Sequence, residues 1–112
     1  MKIAIPSDEN HIKSSISDKL QSSKGLIIYS TENDNYEYID INEIIKTNNN
    51  FYPQIATYIV NNKIKGIILK ELIELETEKL FKDAKIRLYK TKNNIVENII
   101  NEFFVSTEPK NI

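Results

Sequence analysis

The sequence predicts a single three-layer α/β domain, and three observations carry that expectation. Strand-like and helix-like segments alternate in the order β-β-β-α-β-α-β-α. The second and third strands flank a turn rich in Asn and Asp, which makes them an antiparallel hairpin. The later strands are separated by about three helical segments, whose crossovers make those strands parallel and right-handed. At 112 residues the chain is near the commonest domain size and long enough to bury one core.

Each element has its own signature. Residues 1–6 (Met-Lys-Ile-Ala-Ile-Pro) form a short apolar strand that Pro6 ends. Residues 7–23 are polar and Ser-rich, with Ile12, Ile16 and Leu20 at a spacing of four. That spacing suits either one or two helical turns on the sheet edge or a set of loop anchors. Residues 25–30 (Gly-Leu-Ile-Ile-Tyr-Ser) are a second strand, and 31–35 the turn. In residues 36–41, Tyr36, Tyr38 and Asp40 alternate with Glu37, Ile39 and Ile41.

Residues 47–50 are a polar break ending in three asparagines, and Pro53 suits the start of the helix that follows. Ile55, Ala56, Ile59 and Val60 form its apolar stripe, and Asn61-Asn62 close it. Residues 66–69 (Gly-Ile-Ile-Leu) are continuously apolar, as expected of a central strand covered on both faces. Residues 72–84 read as an amphipathic helix with Leu72, Leu75, Leu80, Phe81 and Ala84 facing in. The opposite face, with Glu71, Glu74, Glu78, Lys79 and Lys82, is solvated and suited to helical charge pairs. A last strand follows at 86–89, and a helix at 94–104 with Ile95, Ile99, Ile100, Phe103 and Phe104 on one side. The domain is expected to span 1–105, leaving 106–112 as a polar tail.

Composition narrows the function. Fifteen basic against 16 acidic residues give a net charge of −1, and the lysines are dispersed. No basic stripe exists to hold a phosphate backbone, so no nucleic-acid partner is expected. No apolar run reaches the length of a membrane helix, so no membrane partner is expected, and residues 1–6 do not have the form of a signal peptide. Without cysteine there is no disulfide, thiolate nucleophile or thiolate metal ligand, and the expected location is cytoplasmic.

The opening Met1-Lys2-Ile3-Ala4-Ile5-Pro6-Ser7-Asp8, the segment Ser14-Ser15-Ile16-Ser17, and the close at Ile86-Arg87-Leu88-Tyr89 with Ile95-Val96-Glu97-Asn98-Ile99 carry a family resemblance. Over residues 1–104 the chain resembles the dinitrogenase iron-molybdenum cofactor biosynthesis family, small domains that carry or insert metal clusters for nitrogenase. The resemblance implies a ribonuclease-H-like mixed five-stranded sheet of order 3-2-1-4-5 with strand 2 antiparallel. It also implies an iron-molybdenum or iron-sulfur cluster as cofactor.

The departures from the family pattern bear on that cofactor. An aromatic-Gly-Arg-Ala segment, often preceded by His, is replaced here by Lys19-Leu20-Gln21-Ser22-Ser23. The glycine-rich approach to the first helix becomes Asn49-Asn50-Phe51-Tyr52, and the Gly- and Pro-containing turn after the central strand becomes residues 70–75. Glycines at such places let backbone amides approach a bulky anion.

Four residues rim the place where a pocket would lie. Asp8 follows the first strand, and Lys70 and Glu71 follow the fourth, its neighbour in the implied sheet. Ligands bind open α/β sheets at those strand ends. His11, the only histidine, sits in the first loop beside Asp8 and Glu9, where it is either a metal or cluster ligand or a solvated loop residue. A nuclease of this fold class needs carboxylates converging on two metal ions, and Asp8, Asp40 and Glu71 are expected to lie apart. Serine catalysis lacks a Gly-x-Ser-x-Gly elbow, and no phosphate loop can be built from Gly25 and Gly66, which both open strands.

Tyr36 and Tyr38 share a face of the hairpin edge. That edge offers strand addition to a protein partner or a second copy, or else the two are boundary tyrosines with wet hydroxyls. The leading functional reading is a non-enzymatic domain of the cofactor-biosynthesis type, diverged from cluster binding and acting through a partner or small ligand. A cluster carrier using His11 and the first loop stands second, and a metal-dependent nuclease third.

Overall fold

The computed structural model describes residues 1–47, 49–71 and 73–105, the side chains of 104 and 105 excepted. Strand β1 (Lys2–Ser7) leads through a long loop and a 3₁₀ turn (Leu20–Ser22) to the hairpin of β2 (Gly25–Ser30) and β3 (Asn35–Asp40). A short α1 (Ile41–Ile44) and the longer α2 (Phe51–Asn61) precede β4 (Ile64–Leu69). Then come α3 (Leu75–Asp83), β5 (Arg87–Lys90) and α4 (Val96–Ile100), which continues as a π-helical turn (Asn101–Val105).

The sheet order is β3-β2-β1-β4-β5. β2 runs antiparallel to both neighbours, while β1, β4 and β5 are mutually parallel. This is the mixed topology that the family resemblance implies.

Strand alternation splits the core in two. Ala4, Leu26, Ile28, Ile67 and Leu69 point to one face and pack with Ile44, Ile55, Ile59 and Phe81 of α1, α2 and α3. Ile3, Ile5, Ile27 and Ile68 point to the other, where Ile16 of the first loop and Val96, Ile99 and Ile100 of α4 cover them. A single short helix is too narrow for a five-stranded face, and edge tyrosines extend the cover. Tyr38 of β3 folds over Gly25, where an added Cβ would lie 2.3 Å from its ring. Tyr89 of β5 does the same over Gly66, 2.9 Å from such a Cβ, and stacks edge-on against Phe103.

Several local expectations change. Gly66 is the third residue of β4, not its first, because Ile64 and Lys65 extend the strand. The segment 7–23 is a set of anchors rather than a helical face: Ile16 packs on one side of the sheet and Leu20 on the other. The chain therefore crosses over the end of the sheet between them. Helix α2 starts two residues before Pro53, whose missing N–H falls among the unpaired amides of the first turn. Val60 is 49% exposed, since Ile55, Ala56 and Ile59 already fill the buried stripe.

Leu75 is 81% exposed and not part of the core. It opens α3, about 200° around the helix from buried Thr77 and about 240° from buried Phe81. Leu72 lies outside the described residues. The final helical segment starts at Val96 rather than 94 and widens into the π turn after Ile100.

Candidate functional site

The carboxyl ends of β1 and β4 lie side by side, and the first loop folds across them. Ser7, the last residue of β1, is fully buried. Its hydroxyl meets the Ser14 hydroxyl at 2.7 Å, donates to the Ser15 carbonyl at 3.2 Å and accepts from the Glu9 amide at 3.3 Å. The Ser17 amide donates to the Pro6 carbonyl at 2.9 Å, and the Ile16 amide to the Asn94 carbonyl at 2.7 Å. The Val96 amide returns a bond to the Ser14 carbonyl at 3.0 Å. The Ser-rich run thus becomes a strap bonded to β1 below it and to the β5–α4 connection beside it.

An open pocket of about 450 Å³ remains at the edge of this strap, bounded by Asp8, Glu9, Ser15, Ser17, Asp18, Lys70 and Asn94. The Asp8 carboxylate accepts from the Ser17 hydroxyl at 2.9 Å and from the Lys24 amide at 3.1 Å. The Lys70 ammonium lies 3.3 Å from the Asp18 carboxylate and also donates to the Asn94 side chain. Three carboxylates therefore face one ammonium, and that ammonium already has two oxygen partners.

Of the four residues expected at a pocket rim, Asp8 and Lys70 come together here. Glu71 lies beside a second, larger pocket formed by β5 and α3. His11 is exposed, and its Nδ1 accepts the Lys13 amide at 3.0 Å. Among the described residues no three His, Asp or Glu side chains gather as a metal site would need. Asp40 instead caps α1, accepting the Asn42 amide at 2.8 Å.

Residues 49–52 do not close over this pocket. Asn50 adopts the left-handed conformation (φ 62°, ψ 43°) at the place where the family pattern has its glycine-rich approach. The Gln54 side chain braces the connection, accepting the Lys46 amide at 2.7 Å and donating to the Asn49 carbonyl at 2.8 Å. A separate cavity of about 490 Å³ lies beside Asn50, and it shares no lining residue with the pocket of Asp8 and Lys70. Sequence reasoning missed Asn94, Asp18 and Gln54. No local signal marks them, because each acts on a segment distant in the chain or on loop backbone.

Among the described residues no helix is long and apolar enough to cross a membrane. No curated protein matches the chain. Among solved structures, the apo form of the orange protein from Desulfovibrio gigas superposes with a TM-score of 0.79 at 11% identity. The match covers 91% of this chain and 85% of that one. A candidate NifB protein of the DUF35 family from Thermotoga gives a TM-score of 0.72 at 26% identity, with the same coverage of each chain. The model of the dinitrogenase iron-molybdenum cofactor family matches residues 1–106. With the fold, the sheet order and this match in agreement, the chain belongs to the dinitrogenase iron-molybdenum cofactor family.

Proposed function

We propose that this domain is a non-catalytic binding module that has diverged from cluster carriage and works by holding a partner protein or a small ligand. The observation that carries this reading is the acidic, internally bonded pocket at the ends of β1 and β4. An iron-molybdenum or iron-sulfur cluster is anionic and is held by thiolate or imidazole donors, with amides brought close by glycines. The pocket offers Asp8, Glu9 and Asp18, while Lys70 is engaged by Asp18 and Asn94. The chain has no cysteine, and its one imidazole uses Nδ1 on the Lys13 amide. This donor set does not fit such a cluster.

Anaerobic reconstitution with iron, sulfide and molybdate tests the reading, with visible absorption and metal analysis after desalting. The expected product is colourless and free of stoichiometric metal. A coloured protein holding a cluster would overturn the proposal in favour of a carrier using His11 and the first loop.

For a partner protein, the outer edge of β3 is the surface of interest. Tyr36 and Tyr38 are half-buried there, and Glu37 is exposed. An unpaired edge of this kind accepts a strand from a partner or a second copy. Sedimentation across a concentration series distinguishes a monomer from self-pairing through this edge.

A further inference from the structure

A second pocket lies on the opposite flank of the molecule from the hairpin, between α3 and the edge strand β5. Its volume is about 790 Å³, within the range of small-molecule sites. The apolar part is formed by Leu69 and Ile86, both buried, with half-buried Ile73 and Leu88. Around it stand four cations, Lys82, Lys85, Arg87 and Lys90, against two carboxylates, Glu71 and Glu78.

The charges are not balanced locally. Lys82 pairs with Glu78 at 2.7 Å. Lys85, Arg87 and Lys90 have no carboxylate within ion-pair distance among the described residues. In a chain of net charge −1, four cations against two carboxylates around one apolar pocket are a local inversion of sign. Apolar walls with a few polar groups at the rim are the usual make-up of a ligand site. Cations on that rim select an anionic head.

We propose that this pocket binds a small amphipathic anion, an aromatic or aliphatic body carrying one carboxylate, sulfonate or phosphate. The body lies against Leu69, Ile73, Ile86 and Leu88, and the head is met by Lys85 and Lys90, Lys90 standing on the same face of β5 as Leu88. The site is separate from the pocket of Asp8 and Lys70, so it stands whether or not that pocket takes a cluster.

The test uses 8-anilinonaphthalene-1-sulfonate as probe, followed by its fluorescence and by amide chemical-shift mapping on the native protein. The expected result is one saturable site, displaced by decanoate but not by decyltrimethylammonium, with shifts centred on Leu69, Ile73 and residues 82–90. The double variant Lys85→Glu with Lys90→Glu should fold as the parent does, both positions being exposed, and weaken the probe by about tenfold or more. Three results would overturn the proposal. These are non-saturable or multi-site binding, equal displacement by the cationic amphiphile, and shifts centred elsewhere. Displacement only by an acidic peptide, with no effect of decanoate, would also overturn it and identify a protein-docking groove instead.

Discussion

Ser7 has no contact with solvent, and its hydroxyl holds Ser14, the Ser15 carbonyl and the Glu9 amide at once. Replacing it with alanine takes away the partner of the buried Ser14 hydroxyl and of the part-buried Glu9 amide and Ser15 carbonyl. Ser7→Ala should cost about 1–2 kcal/mol in urea denaturation, with little change in the far-ultraviolet spectrum. Lys63 makes the opposite case. It sits just past α2 at φ 60°, with its amide bonded to the Val60 carbonyl at 3.1 Å. That left-handed position costs an L-residue roughly 1 kcal/mol and suits glycine. Lys63→Gly should therefore raise the melting temperature by a few degrees, about 3 °C, and a lower value would show that lost chain entropy outweighs the relieved strain. The meeting of Asp8 and Lys70 at one pocket was legible because strand ends can be read from apolar runs. The burial of Ser7 was not, since a serine in a polar run looks the same whether it faces water or a strap folded over it.

The elements followed the sequence where one periodicity dominated. Alternation in residues 36–41 and the Asn- and Asp-rich turn before it gave the hairpin, and the continuous Ile-Ile-Leu run gave the interior strand β4. Helix phase was harder: Leu75 fits an inward stripe on paper, yet α3 begins there and turns its buried face to Thr77 and Phe81. The four-residue α1 was missed altogether, being set by the Asp40 cap rather than by any apolar period. At this level the glycines under tyrosine rings are the sharpest test. Gly25→Ala places a methyl group 2.3 Å from the Tyr38 ring and 2.6 Å from the Ile39 carbonyl. It should destabilise the fold by about 1–3 kcal/mol, as read from thermal unfolding. Because the ring and the carbonyl both clash, trimming Tyr38 to Ser in the same chain should recover part of that loss but not all. Full recovery would show that the ring is the whole obstacle.

Across the whole molecule, the tyrosines tie stability to alkaline pH. Burial, the hydrogen bond to Asp34 and that carboxylate's charge push Tyr29 up to about 12. Burial is also the main cause that raises Tyr38, Tyr52 and Tyr58. A phenol whose folded pKa exceeds its unfolded value near 10 contributes its full stabilisation below about pH 10 and loses it as pH rises towards 12. Denaturant titrations across that window should show stability falling with pH, and Tyr29→Phe should flatten the slope. An identical slope in the variant would remove Tyr29 as a source. The overall topology has a kinetic corollary. The centre of the sheet is its first strand, and Lys2 lies opposite Ile64, more than half the chain away. The β2–β3 hairpin closes over a short turn, whereas the β1–β4 seam must wait for a long loop to close, which is entropically costly. Joining that seam, more than forming any helix, should set the pace and be the step most exposed to aggregation.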